Sequence, residues 1–222
     1  MDYSALYISG KLALISTALL LIIAAPLSYF LVHVRFRGKF FLEALVSVPL
    51  VLPPTVLGFF LLIIMSPESL PGRLWHTLTG GSLLFTFCGI VVASMAHSLP
   101  YTIQPLKTAF EKIDKRILES AMVLGCSRFN AFWRVALPNA KNGIVAAGVL
   151  TFAHIMGEFG VVLMVGGSIP GETRVASIAV YEYVEALRYR EAWLLSGALL
   201  ITSYLVLLCV MYLNGRPAPH EA

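Results

Sequence analysis

Charge is scarce in this chain. Of its 222 residues only 13% are Asp, Glu, Lys or Arg, where a soluble domain carries about 25%. Hydrophobic residues make up 58%, and the mean hydropathy is +0.82. So much apolar surface does not fit inside one soluble core, and lipid is the implied solvent. Cysteine is scarce too. Cys88, Cys126 and Cys209 are scattered, which excludes a disulfide framework or a metal-ligand spacing and leaves them as small packing residues. No G-x-x-x-x-G-K-[ST] loop occurs, so the chain has no such phosphate cradle of its own. H-E-x-x-H and G-x-S-x-G spacings are also missing. His97, His154 and Glu158 are the only candidates for intramembrane catalysis, and their neighbours carry neither pattern. A membrane-embedded enzyme is therefore a remote alternative. Nothing in the small net charge of +4 calls for nucleic acid.

Long apolar runs are what the chain has instead. Five of them, about 12–32, 44–65, 83–104, 143–167 and 192–213, each approach the ~20 residues that cross a bilayer. The first is flanked by Asp2 and Lys11 and lacks a small-x-small cleavage site, so it reads as a retained helix and not a signal peptide. Arg35, Arg37 and Lys39 follow the first run, and only Arg73 follows the second. The third connection carries Lys107, Lys112, Lys115, Arg116, Arg128, Arg134 and Lys141. Positive charge on cytoplasmic loops then puts the N-terminus outside and the C-terminus, with Arg216, inside. The fourth connection fits least well. Arg174, Arg188 and Arg190 would lie outside, offset by Glu172, Glu182, Glu185 and Glu191. The expectation is an all-α membrane protein of five transmembrane helices.

The connection at about 107–141 is long, and its pattern is helical. Ile113, Ile117, Ala121 and Leu124 recur at spacings that share one face, and Glu111 and Lys115 are spaced as an i,i+4 pair. Gly125 interrupts the helix where a left-handed cap is easiest. A second short helix is expected to carry Phe129, Phe132, Trp133 and Ala136 on one stripe, and Pro138 to set the exit toward the next run. Periodicity alone leaves open a hairpin that rests on lipid.

Within that connection, E-S-A-x-x-x-G, nine residues, then V-A-L-P spans Glu119 to Pro138. It resembles the Glu-Ala-Ala loop of binding-protein-dependent ABC importer permeases, matching at Glu119, Ala121, Gly125, Leu137 and Pro138. Ser120 and Val135 depart from the pattern by small changes. The resemblance implies a type I importer permease fold in which this loop is a cytoplasmic coupling helix docked on an ATPase subunit. It also implies that residues 1–222 form one transmembrane permease domain with no cofactor of its own. ATP and Mg would be bound by the partner ATPase. Leu195-Ser196-Gly197 echoes an ATPase signature but lies in an apolar run, where it is coincidence.

Two further stretches concern the path. In "VPLVLPPTVLGF", Pro49, Pro53 and Pro54 break the backbone ladder within an apolar run, which is a simple kink or a break facing a cavity. In "GEFGVVLMVGGSIPGETR", Glu158 lies in an apolar run between Gly157, Phe159 and Gly160. An ionisable residue there is a functional candidate facing the bundle interior, or one half of a structural pair with His154 at i,i+4. The flanking glycines permit close helix approach. Together these stretches resemble the molybdate, tungstate and sulfate importer branch, with "IPGETR" leaning to molybdate. The resemblance implies a homodimer with a central pathway, two ABC ATPase subunits and an external, periplasmic oxyanion-binding protein at a bacterial or archaeal cytoplasmic membrane. Pro49–Pro54 and Gly157–Gly160 are expected to face each other across the dimer axis as path or gate. Sulfate, thiosulfate and tungstate are the alternative solutes. No Lys or Arg lies inside any of the five runs, so weak binding of a dianion is expected, with selection left to the external protein. A structural or assembly membrane protein is the other class, and it would have no need of a docking loop.

Overall fold

The computed structural model describes residues 3–34 and 36–214. Asp2, Arg35, Arg216 and the side chain of Cys209 lie outside the described residues. Those described are helical, with no strand among them. The order is α1 Tyr3–His33, α2 Lys39–Val51, α3 Pro54–Met65, α4 Leu70–Thr79 and α5 Phe87–Glu111. The segment that carries the Glu119–Pro138 motif follows as α6 Lys115–Val123, α7 Arg128–Ala131, a π turn Phe132–Ala136 and a short turn α8 Leu137–Asn139. The chain ends with α9 Lys141–Met156, α10 Gly160–Gly166, α11 Ala176–Glu185 and α12 Tyr189–Asn214.

Among the described residues, two helices are long and apolar enough to cross a membrane, α1 and Tyr189–Leu208 of α12. Two bent pairs meet the same test together, α2 with α3 at 117° and α9 with α10 at 63°. The run 44–65 breaks at Leu52–Pro53, as its prolines foretold. Pro54 has no N–H to continue the ladder, yet it fits the first turn of α3. The run 143–167 was expected to be one helix and is corrected here. It stops at Met156, leaves Gly157–Phe159 outside helix, and restarts at Gly160. Helix α5 is 25 residues, about 37 Å at 1.5 Å per residue, but it carries His97, Ser98, Thr102 and Gln104 and is more polar than α1.

Helices α1, α5 and α9 form the centre. Their interface is lined with small hydroxyls that let backbones approach. Thr102 Oγ1 and Thr151 Oγ1 are 2.8 Å apart and fully buried. Ser9 Oγ accepts from Ala176 N–H at 2.8 Å, which ties α11 to α1. A second layer packs α3 on α10. A Cβ at Gly58 would stand 2.7 Å from Met164 Cβ, so only glycine lets these helices meet so closely. The outer faces of α1, α2, α3 and α12 leave large apolar side chains exposed, Ile22, Phe40, Phe60 and Leu200 among them, as lipid contact requires.

Candidate functional site: a cavity between two broken helices

The first region is the segment that carries the Glu119–Pro138 motif. Asp114 Oδ1 accepts from Arg116 N–H at 2.9 Å and starts a new helix after α5. This corrects two expectations. Glu111 and Lys115 belong to different helices, and Ile113 sits in the turn between them instead of on a shared stripe. On α6 only Leu118 is buried, while Ile117 and Leu124 are exposed and Ala121 is half-buried. Gly125 has φ +86, with Cys126 N–H on Ala121 C=O and Gly125 N–H on Met122 C=O, both at 3.0 Å. This is the Schellman end that a left-handed glycine permits.

The expected aromatic stripe divides in two. Phe132 and Ala136 are buried against Phe110 and Tyr29, whereas Phe129 and Trp133 are exposed. The reason is the π turn, which changes the angular step over Phe132–Ala136. It ends two residues before Pro138, whose ring cannot follow an ordinary α turn. Asn139 Nδ2 donates to the Val135 carbonyl at 2.7 Å. Glu119 lines a groove of about 530 Å³ with His33, Lys115 and Arg128. Ser120 and Pro138 are exposed and Leu137 is half-buried. Val123, Leu124, Phe129 and Trp133 thus leave an apolar surface next to these motif residues.

The second region is the cavity. Pro54, Thr55, His97, His154, Gly157, Glu158, Phe159 and Gly160 line a space of about 500 Å³. It brings together, inside one chain, residues of both stretches that were expected to face the path. A Cβ at Gly160 would lie 3.1 Å from Pro54 Cβ, so the α10 start and the α3 start touch. Gly157 has only one atom near such a Cβ, the His154 carbonyl oxygen at 3.9 Å, so of the two flanking glycines only Gly160 serves close packing. Pro49, inside α2, and Pro53, at the bend, do not line the space.

Glu158 is 5% exposed. Its Oε1 is 3.1 Å from His97 Nδ1, and its carbonyl accepts from Ser177 Oγ at 2.5 Å. The expected pairing with His154 is corrected. An i,i+4 pair needs both residues on one helix, and the helix ends at Met156. His154 instead stacks on Tyr101 with ring centroids 3.8 Å apart, and its Nε2 is buried without a hydrogen-bond partner, as is Glu158 Oε2. Two imidazoles and a carboxyl therefore meet in one cavity lined by neither Lys nor Arg. His97 lines the cavity but is not among the residues that the motifs pointed to. Its only signal was an ionisable group in an apolar run.

The "SIPGETR" stretch closes the α10 end. Thr173 Oγ1 donates to the Gly166 carbonyl at 2.7 Å and accepts from Ile169 N–H at 3.1 Å. Arg174 Nε lies 2.7 Å from Glu182 Oε2, and Arg188 Nη2 2.9 Å from Glu191 Oε1. Two of the three arginines that fitted the charge rule poorly are thus locally paired.

A family model described as "Binding-protein-dependent transport system inner membrane component" matches residues 9–216. The chain is 45% identical to the molybdenum transport system permease protein ModB of Azotobacter vinelandii, over 93% of this chain and 91% of that protein. It is 29% identical to the sulfate transport system permease protein CysT of Escherichia coli (strain K12), over 86% of this chain and 68% of that one. Among solved structures, a bacterial alginate ABC transporter in complex with an alginate pentasaccharide-bound periplasmic protein superposes with a TM-score of 0.77 at 16% identity. It covers 96% of this chain and 78% of that chain, and the likeness is one of fold.

Proposed function

This chain belongs to the binding-protein-dependent transport system inner membrane components, and on that premise we propose that it is the membrane-spanning permease subunit of an ATP-driven importer for an oxyanion, molybdate in first place. The observation that carries the solute is its greater likeness, over nearly the whole chain, to a molybdenum permease than to a sulfate permease. Two copies form the pathway, two ABC ATPase subunits dock beneath them and bind ATP and Mg, and an external binding protein delivers the anion. Five crossings, with the N-terminus outside and the C-terminus inside, follow from the basic connections. The α2–α3 and α9–α10 pairs then each count as one broken crossing. Glu119, Ser120, Ala121, Gly125, Leu137 and Pro138 serve ATPase coupling, supported by the exposed apolar surface around the Gly125 corner. Pro49, Pro53, Pro54 and Gly157–Gly160 belong to the path or its gate, supported by the cavity in which Pro54 and Gly157–Gly160 meet.

Proteoliposomes holding the chain, its ATPase and its external binding protein test this reading. ATP-dependent uptake of molybdate in preference to sulfate is expected, with no ATP hydrolysis by the chain alone. Uptake of sulfate without molybdate would establish the alternative solute. Hydrolysis by the isolated chain would overturn the division of labour.

A further inference from the structure

A dianion that enters the 500 Å³ cavity meets Glu158, whose Oε2 is buried and unpartnered. An ionised carboxylate repels such a solute strongly in a medium of low dielectric. A path for oxyanions that keeps a bare carboxylate on its wall therefore works against itself, and the chain needs a way to cancel that charge. Among the described residues, no Lys or Arg lines the cavity. The titratable groups facing Glu158 are few. Helix α5 contributes His97, and α9 contributes His154, which stacks on Tyr101. From α3 come only Pro54 and Thr55, and from α11 the Ser177 hydroxyl, which is engaged by the Glu158 carbonyl.

Among the described residues, His97 is the one seen bonded to the carboxylate, with Nδ1 3.1 Å from Oε1 and the residue 6% exposed. His154 is held by its stack on Tyr101, its ring centroid 4.9 Å from that of His97. We propose that His97 is the charge-compensating residue of the pathway: as an imidazolium it holds Glu158 in a pair of net charge zero, so that an oxyanion dianion passes the cavity wall without meeting a lone carboxylate. His97 acts through Glu158 and is a positioning residue. The proposal rests on the oxyanion-permease reading, and it explains why a carboxylate is tolerated there.

The test is ATP-driven molybdate uptake in proteoliposomes carrying the complete transporter, with H97Q, E158Q and the double variant beside the wild type. A glutamine at 97 still donates a hydrogen bond but carries no charge. H97Q is expected to lower uptake at least about tenfold, since it leaves a bare carboxylate. E158Q should lower it only about two- to threefold, and the double variant should return to the E158Q level, because an amide needs no compensation. Rescue by the second substitution is what a packing role of His97 would not produce. Uptake by H97Q within about twofold of wild type, or a double variant as low as H97Q, overturns the proposal. Should H97Q fail to assemble with the ATPase, the double variant decides alone, and it must both assemble and transport. If the wild type itself carries no molybdate in these vesicles, the functional reading fails first.

Discussion

Two of the glycine-containing corners at which helices break, one at Gly125 and one at the cavity, need glycine for different reasons. At Gly125 the backbone is left-handed, φ +86, and a Cβ there would meet nothing within 4 Å. The requirement is conformational and local. At the cavity, Gly160 and nearby Gly58 are needed for space. Their added Cβ atoms would lie 3.1 Å from Pro54 Cβ and 2.7 Å from Met164 Cβ. The first corner juts from the helices beside exposed Val123, Leu124, Phe129 and Trp133. The second lies between α3, α5 and α10 beside the cavity and holds the Glu158–His97 pair. A corner read by its own dihedral angles tolerates a change of side chain better than one read by its neighbours.

The largest effect should come from crowding the packed corner. Gly58→Leu drives α3 off α10, and overpacking costs about 1–3 kcal/mol or more. A marked fall in detergent melting temperature and in yield of inserted protein is expected. A melting temperature equal to wild type would mean that α3 and α10 do not pack as described. Next comes Gly125→Val, where a β-branched residue in a left-handed position costs roughly 1–2 kcal/mol. Insertion and melting should change little, since the corner is exposed, while recovery of ATPase on pull-down should fall. Gly125→Asn should restore part of it, because Asn visits that conformation more readily. Unchanged recovery with Val would remove the coupling role from this corner. The smallest effect is expected between the two corners, at the Thr102–Thr151 contact of 2.8 Å. Interhelical hydrogen bonds of this kind are worth about 0.6 kcal/mol in membranes. Thr102→Val and the double Thr102→Val, Thr151→Val should differ little in melting temperature. A large loss from the double would show that the central hydroxyl layer carries more of the fold than either corner.

The same contrast explains what was legible in the residues. The Gly125 corner and the broken run at Pro53–Pro54 were readable, because turn chemistry is encoded within a few residues of where it acts. The apolar runs told of lipid for the same reason. Other features were misread locally. The Ile113–Leu124 stripe assumed one helix, but Asp114 caps a new one. The aromatic stripe assumed an α step, but a π turn precedes Pro138.

By itself the sequence determined an all-helical membrane chain, the kind of family it belongs to, and the breaks at Pro53–Pro54 and Gly125, all properties of short segments and of bulk hydropathy, whereas the break at Gly157–Phe159 was not legible in it. Only the tertiary structure decided that Pro54 and Gly160 touch, that Phe132 turns inward while Trp133 turns outward, and that Glu158 pairs with His97, 61 residues away, and not with His154, four away. A helix end at Met156 moves Glu158 off the face that His154 occupies. Which partner a buried charge then finds depends on the packing of α5 against the broken α9–α10 pair, and no local pattern carries that information.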